Sequence, residues 1–128
     1  MAEKSVAEKL LIKPGYRVFV LHAPAGYEAA AGPLPAGARA LTAPSGEPAD
    51  LIELFVTSAA ELAARLPGVK ALLKPKGLLW VLYPKGTSKV KTDVNRDTIR
   101  AHAATVGWQA VALVSVDETW SALRLKPA

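Results

Sequence analysis

The residues best suited to binding chemistry follow two apolar runs of the sequence. Thr57 and Ser58 come after the first run, at the predicted start of a helix, where free N–H groups and the helix dipole favour an anion. The segment after the second run adds cations and hydroxyl donors, namely Lys85, Thr87, Ser88, Lys89 and Lys91. The pattern predicts a site for a small anionic molecule, such as a phosphate or a carboxylate. The alternative is a helix cap at Ser58 beside a solvated loop.

Three further candidates follow the first predicted strand. His22 is a candidate general base, because imidazole titrates near neutral pH and this residue lies where the strand meets the site. A packed, hydrogen-bonded histidine is the structural alternative. Gly26 and Tyr27 belong to the same loop and complete the set of candidate ligand-binding residues. His102, among alanines in a predicted helix, is expected to be exposed and inert.

The carboxylates allow both functional and structural interpretations. Glu53 interrupts an apolar strand, and a buried carboxylate with a raised pKa is a functional candidate. It could equally face an uncovered patch of the sheet or pair with a basic neighbour. Asp93 and Asp97 are interpreted as acids at the N-terminal end of a helix. Asp117 and Glu118 are interpreted as turn residues, with cation binding by two adjacent carboxylates at a strand end as the alternative.

Composition excludes several classes of protein. The 128 residues are 51% hydrophobic, contain no cysteine and include two histidines, so neither a disulfide framework nor a metal site is predicted. The apolar content predicts one folded domain, residues 1–128, and excludes disorder. No apolar run approaches the roughly 20 residues of a membrane helix, and the start has no signal core, so a cytoplasmic location without membrane contact is expected.

The formal charge of +5 is concentrated in the second half of the chain. Such asymmetry can mark a nucleic-acid surface, but the total lies within the ordinary range for solubility, so nucleic acid is not the expected partner. A protein partner stays open. Trp80, Trp108 and Trp120 are expected to anchor the core. Alternatively, Trp120 near Lys91 could stack a nucleic-acid base.

Predicted strands alternate with predicted helices. The helices are expected over 5–11, from 58 onward, in one or two further turns over 69–74, and over 96–106. The strands are expected over 16–21, 38–42, 50–56, 78–83, 108–116 and 119–125. This order predicts an α/β three-layer sandwich with a mostly parallel, Rossmann-like sheet of about six strands and a C-terminal antiparallel hairpin at its edge.

Short motifs at the strand boundaries carry a family resemblance. The first set is Lys13-Pro14-Gly15-Tyr16-Arg17-Val18, Leu73-Lys74-Pro75-Lys76-Gly77-Leu78-Leu79-Trp80 and the closing hairpin. The second set is Ile12-Lys13-Pro14-Gly15, Ala23-Pro24-Ala25-Gly26-Tyr27, Tyr83-Pro84-Lys85, Val90-Lys91-Thr92-Asp93 and Asp117-Glu118-Thr119-Trp120-Ser121. By the first set the chain resembles a truncated class I S-adenosylmethionine-dependent methyltransferase, and by the second set it resembles, more closely, a small bacterial family of domains of unknown function that share this plan. The resemblance implies the fold and no established activity.

Two departures from the methyltransferase pattern bear on the cofactor. The loop after the first strand has Pro24 and a single glycine, and the second strand ends in Leu41–Pro44 without the acid that holds a ribose, Glu47 being a distant candidate. S-adenosylmethionine is therefore disfavoured and no cofactor is expected. The preferred hypothesis is a non-catalytic domain that binds a small molecule or anion. The alternatives are a methyltransferase with an altered cofactor loop and a weak nucleic-acid-binding module.

Overall fold

Helices and strands alternate along the chain in the computed structural model, which describes residues 6–27, 32–44, 46–86 and 91–127. The helices are α1 (Val6–Lys9), α2 (Ala59–Arg65) and α3 (Arg96–Thr105). The strands are β1 (Arg17–Leu21), β2 (Arg39–Leu41), β3 (Ala49–Phe55), β4 (Leu73–Pro84), β5 (Trp108–Ser115) and β6 (Trp120–Pro127).

The strands form a six-stranded sheet in the order β2-β1-β3-β4-β6-β5. β1 to β4 pair in parallel, whereas β6 pairs antiparallel with both β4 and β5. The predicted mostly parallel α/β sheet with a C-terminal hairpin is confirmed. The hairpin lies at one edge of the sheet, as expected, with β6 next to β4 and β5 as the edge strand. β6 is the more apolar strand of the hairpin and buries Ala122, Leu123 and Leu125.

The two faces of the sheet are covered by different elements, which gives the three layers. α2 and α3 pack on one face, where Ile52 and Leu54 of β3 join the core. α1 and the segment after β1 pack on the other face, where Leu51 and Phe55 point. Because side chains alternate along a strand, β3 contributes to both cores. This confirms the prediction that residues 50–56 form a central strand covered on both sides.

Capping residues set the beginnings of the two longer helices. Ser58 Oγ accepts a hydrogen bond from the Glu61 N–H at 3.1 Å, and Asn95 Oδ1 accepts one from the Thr98 N–H at 3.0 Å. Each bond satisfies an N–H that has no partner within the helix. Gly107 follows the end of α3 with a φ of 87°, a conformation that glycine adopts without strain. These starts and this stop agree with the sequence patterns.

The segment before the central part of β4 differs from its prediction. Instead of helical turns over 69–74 and a loop, a 3₁₀ turn at Lys70–Leu72 leads directly into the strand. Leu73 pairs with Ala49 across an irregularity in the ladder. A Cβ at Gly77 would lie 3.1 Å from the Asp50 carbonyl oxygen, so glycine allows β4 to pass close to β3 there. Pairing with a neighbouring strand thus outweighs the local turn signals.

The remaining boundaries are close to the expected ones. α1 is shorter than the predicted helix, and its predicted cap at Ser5 lies outside the described residues. The weak strand over 38–42 is present as β2. None of the described helices has the length and apolar character needed to cross a membrane.

Candidate functional site

A cavity of about 250 Å³ lies where β1 and β3 end, at the carboxyl edge of the parallel strands. β1 and β3 are adjacent, and their following segments lead to opposite faces of the sheet, which is where open α/β sheets bind ligands. We call it the carboxyl-edge cavity, and its lining residues are His22, Pro24, Phe55, Thr57, Glu61, Arg65 and Trp120. It therefore contains two of the residues predicted from the sequence, His22 and Thr57.

The hydrogen-bond donors of Thr57 are occupied by a carboxylate of the chain itself. Glu61 Oε1 accepts from the Thr57 N–H at 2.6 Å and from the Thr57 hydroxyl at 2.9 Å. These hydrogen bonds hold the pKa of Glu61 below its usual range, so Glu61 is ionised at neutral pH. Ser58 acts as the N-cap of α2. A carboxylate of the chain itself thus occupies these donors, where the sequence predicted an anion site.

Arg65 lies beside Glu61 and leaves part of its guanidinium open. Its NH1 group donates to the Phe55 carbonyl oxygen at 2.9 Å and lies 3.3 Å from Glu61 Oε1. The contacts of Glu61 with Thr57 and Arg65 all fall on Oε1, and Oε2 has no hydrogen bond from the described residues. The remaining N–H groups of Arg65 are likewise without partners there. Glu61 and Arg65 therefore offer an acceptor and a donor within one cavity.

The loop after β1 has two residues in the left-handed backbone region. His22 is exposed and has a φ of 63°, which a residue with a side chain adopts only occasionally. Gly26 has a φ of 84°, and a Cβ there would meet nothing within 4 Å. Gly26 is therefore required by the turn rather than by close approach of another group. His22 faces the cavity as an accessible imidazole.

Tyr27 and Glu53 form a buried pair behind the cavity. The Tyr27 hydroxyl donates to Glu53 Oε1, and both residues are buried. Burial raises the pKa of Glu53 to about 7, although the hydrogen bond from Tyr27 opposes the shift. Burial and the nearby Glu53 also raise the pKa of Tyr27. The alternatives left open for Glu53 are thereby decided, because the carboxylate is buried and its partner is a tyrosine.

Aromatic contacts connect this pair to the cavity wall. The rings of Tyr27 and Phe55 meet edge to face at 4.7 Å, and those of Phe55 and Trp120 do so at 4.9 Å. Edge-to-face packing of this kind is favourable beyond the burial of apolar area. Tyr27 is thus placed behind the cavity, where it supports Phe55, rather than among its lining residues.

The predicted basic segment contributes less to the cavity. Lys85 Nζ donates to Ser115 Oγ at 2.5 Å, and its N–H donates to the Thr119 carbonyl oxygen, which turns Lys85 toward the β5–β6 hairpin. Lys91 is exposed and does not line the cavity. The other three candidates of this segment, Thr87, Ser88 and Lys89, lie outside the described residues.

Sequence reasoning missed the roles of Glu61, Arg65 and Trp120. Neither Glu61 nor Arg65 is among the candidate ligand-binding residues singled out from the sequence. Their spacing of four residues places them on the same face of α2, which is a signal visible in the sequence. Trp120 was correctly expected to be buried, as were Trp80 and Trp108. Its place in the cavity wall depends on the pairing of β6 with β4.

The other carboxylates have structural partners. Asp93 Oδ1 accepts from the Ala59 N–H at 2.6 Å, so it binds the start of α2 and not, as expected, the start of its own helix. Asp97 lies in the first turn of α3, as predicted. Asp117 Oδ1 accepts from the Trp120 N–H at 2.7 Å, which confirms a turn residue. The described residues include no cluster of three or more side chains suited to a metal ion.

His102 does not have the exposure expected of it. The residue is half-buried, and its Nε2 atom is buried without a hydrogen-bond partner among the described residues. It lies on α3 and outside the carboxyl-edge cavity.

Comparison with known proteins identifies the fold. No family model matches the chain, and no curated protein matches its sequence. The ribosomal protein L11 methylase from Lactobacillus delbrueckii subsp. bulgaricus has a TM-score of 0.60 at 13% identity, covering 95% of this chain and 74% of that one. The DhpI-SAH complex has a TM-score of 0.62 at 11% identity, and the match covers 95% of this chain and 82% of that one. The B. subtilis M1A22 tRNA methyltransferase TrmK has a TM-score of 0.55 at 14% identity, and the match covers 96% of this chain and 64% of that one.

At identities this low, the likeness establishes a shared fold. The chain has the Rossmann-like fold of class I methyltransferases, which confirms the structural part of the resemblance. The residues fit the methyltransferase cofactor in part. Glu61 and Arg65 offer partners for the amino-acid end of S-adenosylmethionine, whereas the described end of β2 offers no acid for its ribose. Glu47, the distant candidate, forms an ion pair with Arg17 at 2.8 Å, at the opposite edge of the sheet.

Proposed function

We propose that this chain is a small-molecule-binding domain whose ligand carries an amino-acid group, with a positively charged ammonium and a negatively charged carboxylate. The observation that carries the proposal is the arrangement of Glu61 and Arg65 in the carboxyl-edge cavity. Glu61 Oε2 would accept from the ammonium, and the open N–H groups of Arg65 would donate to the carboxylate. Charge-assisted hydrogen bonds of this kind are stronger than neutral ones.

A zwitterionic ligand suits the cavity better than the simple anion predicted from the sequence. An anion beside Thr57 would find its N–H and hydroxyl already donated to Glu61 at 2.6 and 2.9 Å. It would also face the ionised carboxylate of Glu61, which repels it. A ligand with an adjacent ammonium removes that repulsion and still pairs with Arg65.

The other lining residues favour a particular kind of side chain on the ligand, next to its amino-acid group. Phe55, Trp120 and Pro24 provide an apolar wall, so an apolar or thioether side chain is favoured. His22 adds an accessible imidazole at the mouth of the cavity, where it can donate or accept a hydrogen bond. L-Methionine is the simplest probe with these features.

Melting temperatures with L-methionine, S-adenosylhomocysteine, adenosine and inorganic phosphate test the proposal. We expect methionine and S-adenosylhomocysteine to raise the melting temperature by several degrees at saturating concentration, because each carries the amino-acid group. Adenosine should have no effect, and any rise with phosphate should persist in Arg65→Gln, because that substitution changes only this cavity. No rise with either amino-acid probe would refute the proposal, and a rise with phosphate that Arg65→Gln abolishes would restore the anion hypothesis.

A matched pair of variants shows where the probe binds. Glu61→Gln and Arg65→Gln should each abolish the rise, because each removes one charge of the cavity. Asp97→Asn and Arg100→Gln remove a comparable pair on α3, 3.4 Å apart and exposed, and should leave the rise unchanged. If the variants of both pairs lost the rise in melting temperature equally, the rise would reflect a general effect of charge and not binding at this cavity.

The second candidate function is S-adenosylmethionine-dependent methyl transfer. Two observations favour it: the chain has the fold of methyltransferases, and the charges of Glu61 and Arg65 match the amino-acid end of that cofactor. When bound, the cofactor would supply an activated methyl group. This chain would hold the amino-acid end through Glu61 and Arg65, and His22 is placed to take a proton from an acceptor in the cavity.

Calorimetric titration separates the two candidates. If the adenosine part is recognised, S-adenosylhomocysteine should bind at least tenfold more tightly than methionine, and His22→Gln should leave that affinity nearly unchanged. Equal affinities for the two probes would exclude recognition of the adenosine part and leave the binding proposal standing alone.

A further inference from the structure

A second pocket, of about 350 Å³, lies at the opposite edge of the sheet, where the parallel strands begin. We call it the amino-edge pocket, and its charged lining residues are Arg17, Arg39, Glu47, Asp50 and Lys74. From this arrangement we infer that the amino-edge pocket binds a phosphate group of a small molecule, independently of the carboxyl-edge cavity.

The parallel pairing of the strands brings the cations together. Arg17 of β1 and Arg39 of β2 are directly paired in the sheet, so their side chains leave the same face. Lys74 belongs to the start of β4, next to Leu73, which pairs with Ala49 of β3. Three strands thus each deliver one cation to the same pocket. A phosphate has oxygens that point in several directions, which suits donors that approach from several sides.

Two carboxylates hold two of the cations in place. Glu47 Oε2 lies 2.8 Å from Arg17 NH1. Asp50 uses both oxygens, since Oδ1 accepts from Lys74 Nζ at 2.8 Å and Oδ2 accepts from the Arg17 N–H at 2.8 Å. Although burial opposes it, these hydrogen bonds keep the pKa of Asp50 below its usual range. The acids are therefore satisfied internally, and they fix the geometry of the pocket.

Arg39 takes no part in these contacts with Glu47 and Asp50. Among the residues that the structure describes, no acid lies within ion-pair distance of Arg39. A guanidinium is always charged and binds phosphate through two parallel N–H groups. With Arg17 and Lys74 paired to acids and Arg39 unpaired, the lining of the pocket has a surplus of positive charge.

Neighbouring residues extend this positive potential beyond the pocket. Lys70 and Lys76 lie in and after the 3₁₀ turn that leads into β4, and Lys126 lies near the end of the antiparallel β6, at this same edge. Additional positive charge around a pocket raises the local concentration of anions and their rate of association. The basic Lys13-Pro14-Gly15 segment also enters β1 here, and Gly15 is bound through its N–H to the Ala36 carbonyl oxygen at 3.0 Å.

Titration of the ¹⁵N-labelled protein with inorganic phosphate, pyrophosphate and ADP tests the inference by amide chemical shifts. We expect the largest shifts at Arg17, Arg39 and Lys74 with each probe. Arg39→Gln should weaken phosphate binding about tenfold. Lys74→Gln should weaken it less, because Lys74 of the unsubstituted protein is already paired with Asp50. Arg100→Gln removes an exposed guanidinium from α3 and should have no effect.

Several outcomes would overturn the inference. Shifts distributed evenly over the surface lysines, or an affinity unchanged in Arg39→Gln, would show unspecific attraction of anions. A duplex oligonucleotide that shifts Lys70, Lys76 and Lys126 as strongly as Arg39, with a steep salt dependence, would identify a nucleic-acid surface instead. Failure here leaves the proposed function untouched, since an amino-acid probe should shift the amides of Thr57 and Glu61 at the other edge.

Discussion

The carboxyl-edge cavity and the amino-edge pocket use the same kinds of charged residue but leave different atoms open. In the first, Glu61 receives its hydrogen bonds on one oxygen, so the second oxygen is available to a ligand. In the second, Asp50 uses both oxygens, and within the described part of the chain the guanidinium of Arg39 has no acidic partner. Two pockets with similar charged residues can therefore fit ligands of different charge, because the hydrogen bonds within the protein determine which charged atoms remain available to a ligand.

The two regions also differ in what supports them. The carboxyl-edge cavity rests on buried aromatic rings and on the Tyr27–Glu53 pair, whereas the amino-edge pocket depends on ion pairs whose side chains are partly exposed. Buried groups contribute more to stability than exposed ion pairs do. Mutations at the carboxyl edge should therefore destabilise the fold more than mutations at the amino edge.

The largest effect is expected for Phe55→Ala. The ring is 1% exposed and lies between Tyr27 and Trp120, so its removal leaves a cavity in the core. We expect a loss of about 3–5 kcal/mol in the free energy of unfolding, measured by urea denaturation. Val111→Ala, at a position that is 40% exposed, should cost less than about 1 kcal/mol. Equal losses in the two variants would contradict the assignment of Phe55 as support for the cavity.

The second effect is a pH dependence that arises from Glu53. Its pKa is about 7 in the folded protein, against an ordinary value of 4.5. Between these values the folded protein holds a proton that the unfolded chain has released, so the contribution to stability is full below pH 4.5 and is lost as the pH rises through 7. The loss is on the order of 3 kcal/mol.

Glu53→Gln should remove this pH dependence, because the amide does not titrate. The free energy of unfolding should then vary less with pH in the variant than in the wild type, whereas Glu118→Gln, at an exposed turn position, should keep the slope. The measurement is urea denaturation at a series of pH values from acidic to mildly basic. A slope that survives in Glu53→Gln would assign the pH dependence to another group.

A smaller effect is expected for Ser58→Ala, which removes the cap of α2. The loss should be about 1 kcal/mol, because the Glu61 N–H loses its acceptor at 3.1 Å. Since α2 carries Glu61 and Arg65, methionine affinity should fall as well, while phosphate affinity at the amino-edge pocket should not change. Ser58→Asp keeps an acceptor at the cap and should restore the stability. A parallel loss of both affinities would mean that the two sites are not independent.

The smallest effect on stability is expected for Asp50→Asn. The side chain of Lys74 is 50% exposed, so the loss of its ion pair should cost about 0.5 kcal/mol. Phosphate affinity should rise several-fold, because the pocket loses a negative charge and frees Lys74. Denaturation and phosphate titration of the same variant check both statements. Weaker phosphate binding would show that Asp50 positions Lys74 more than it opposes the anion.

Much of the fold could be predicted from local patterns. The apolar run over 50–56 predicts the central strand, Asn95 and Gly107 predict the ends of α3, and the separation of the last two strands predicts the hairpin. The position of β6 inside the sheet could not be predicted, because it depends on which strand of the hairpin buries more apolar surface against β4. The same holds for the start of β4, where pairing with β3 extends a strand through a proline and a glycine.

The candidate site could be predicted in position but not in chemistry. The strand order expected for the fold places His22 and Thr57 at one edge, and in the structure both residues line one cavity there. The sign of its charge depends on Glu61, whose side chain turns back to Thr57 instead of facing solvent. Glu61 follows Ser58 by three residues, and this spacing predicts an acid in the first turn of the helix without revealing which N–H groups it will bind.

The sequence by itself determined the order of helices and strands, the caps and the burial of the tryptophans, because these depend on neighbouring residues and on apolar content. The tertiary structure decided the partners of the polar groups. Tyr27 and Glu53 are 26 positions apart, and the Trp80 indole N–H donates to the Leu10 carbonyl oxygen across 70 positions. Such contacts form only when segments distant in the sequence pack together in the fold, so no local pattern encodes them.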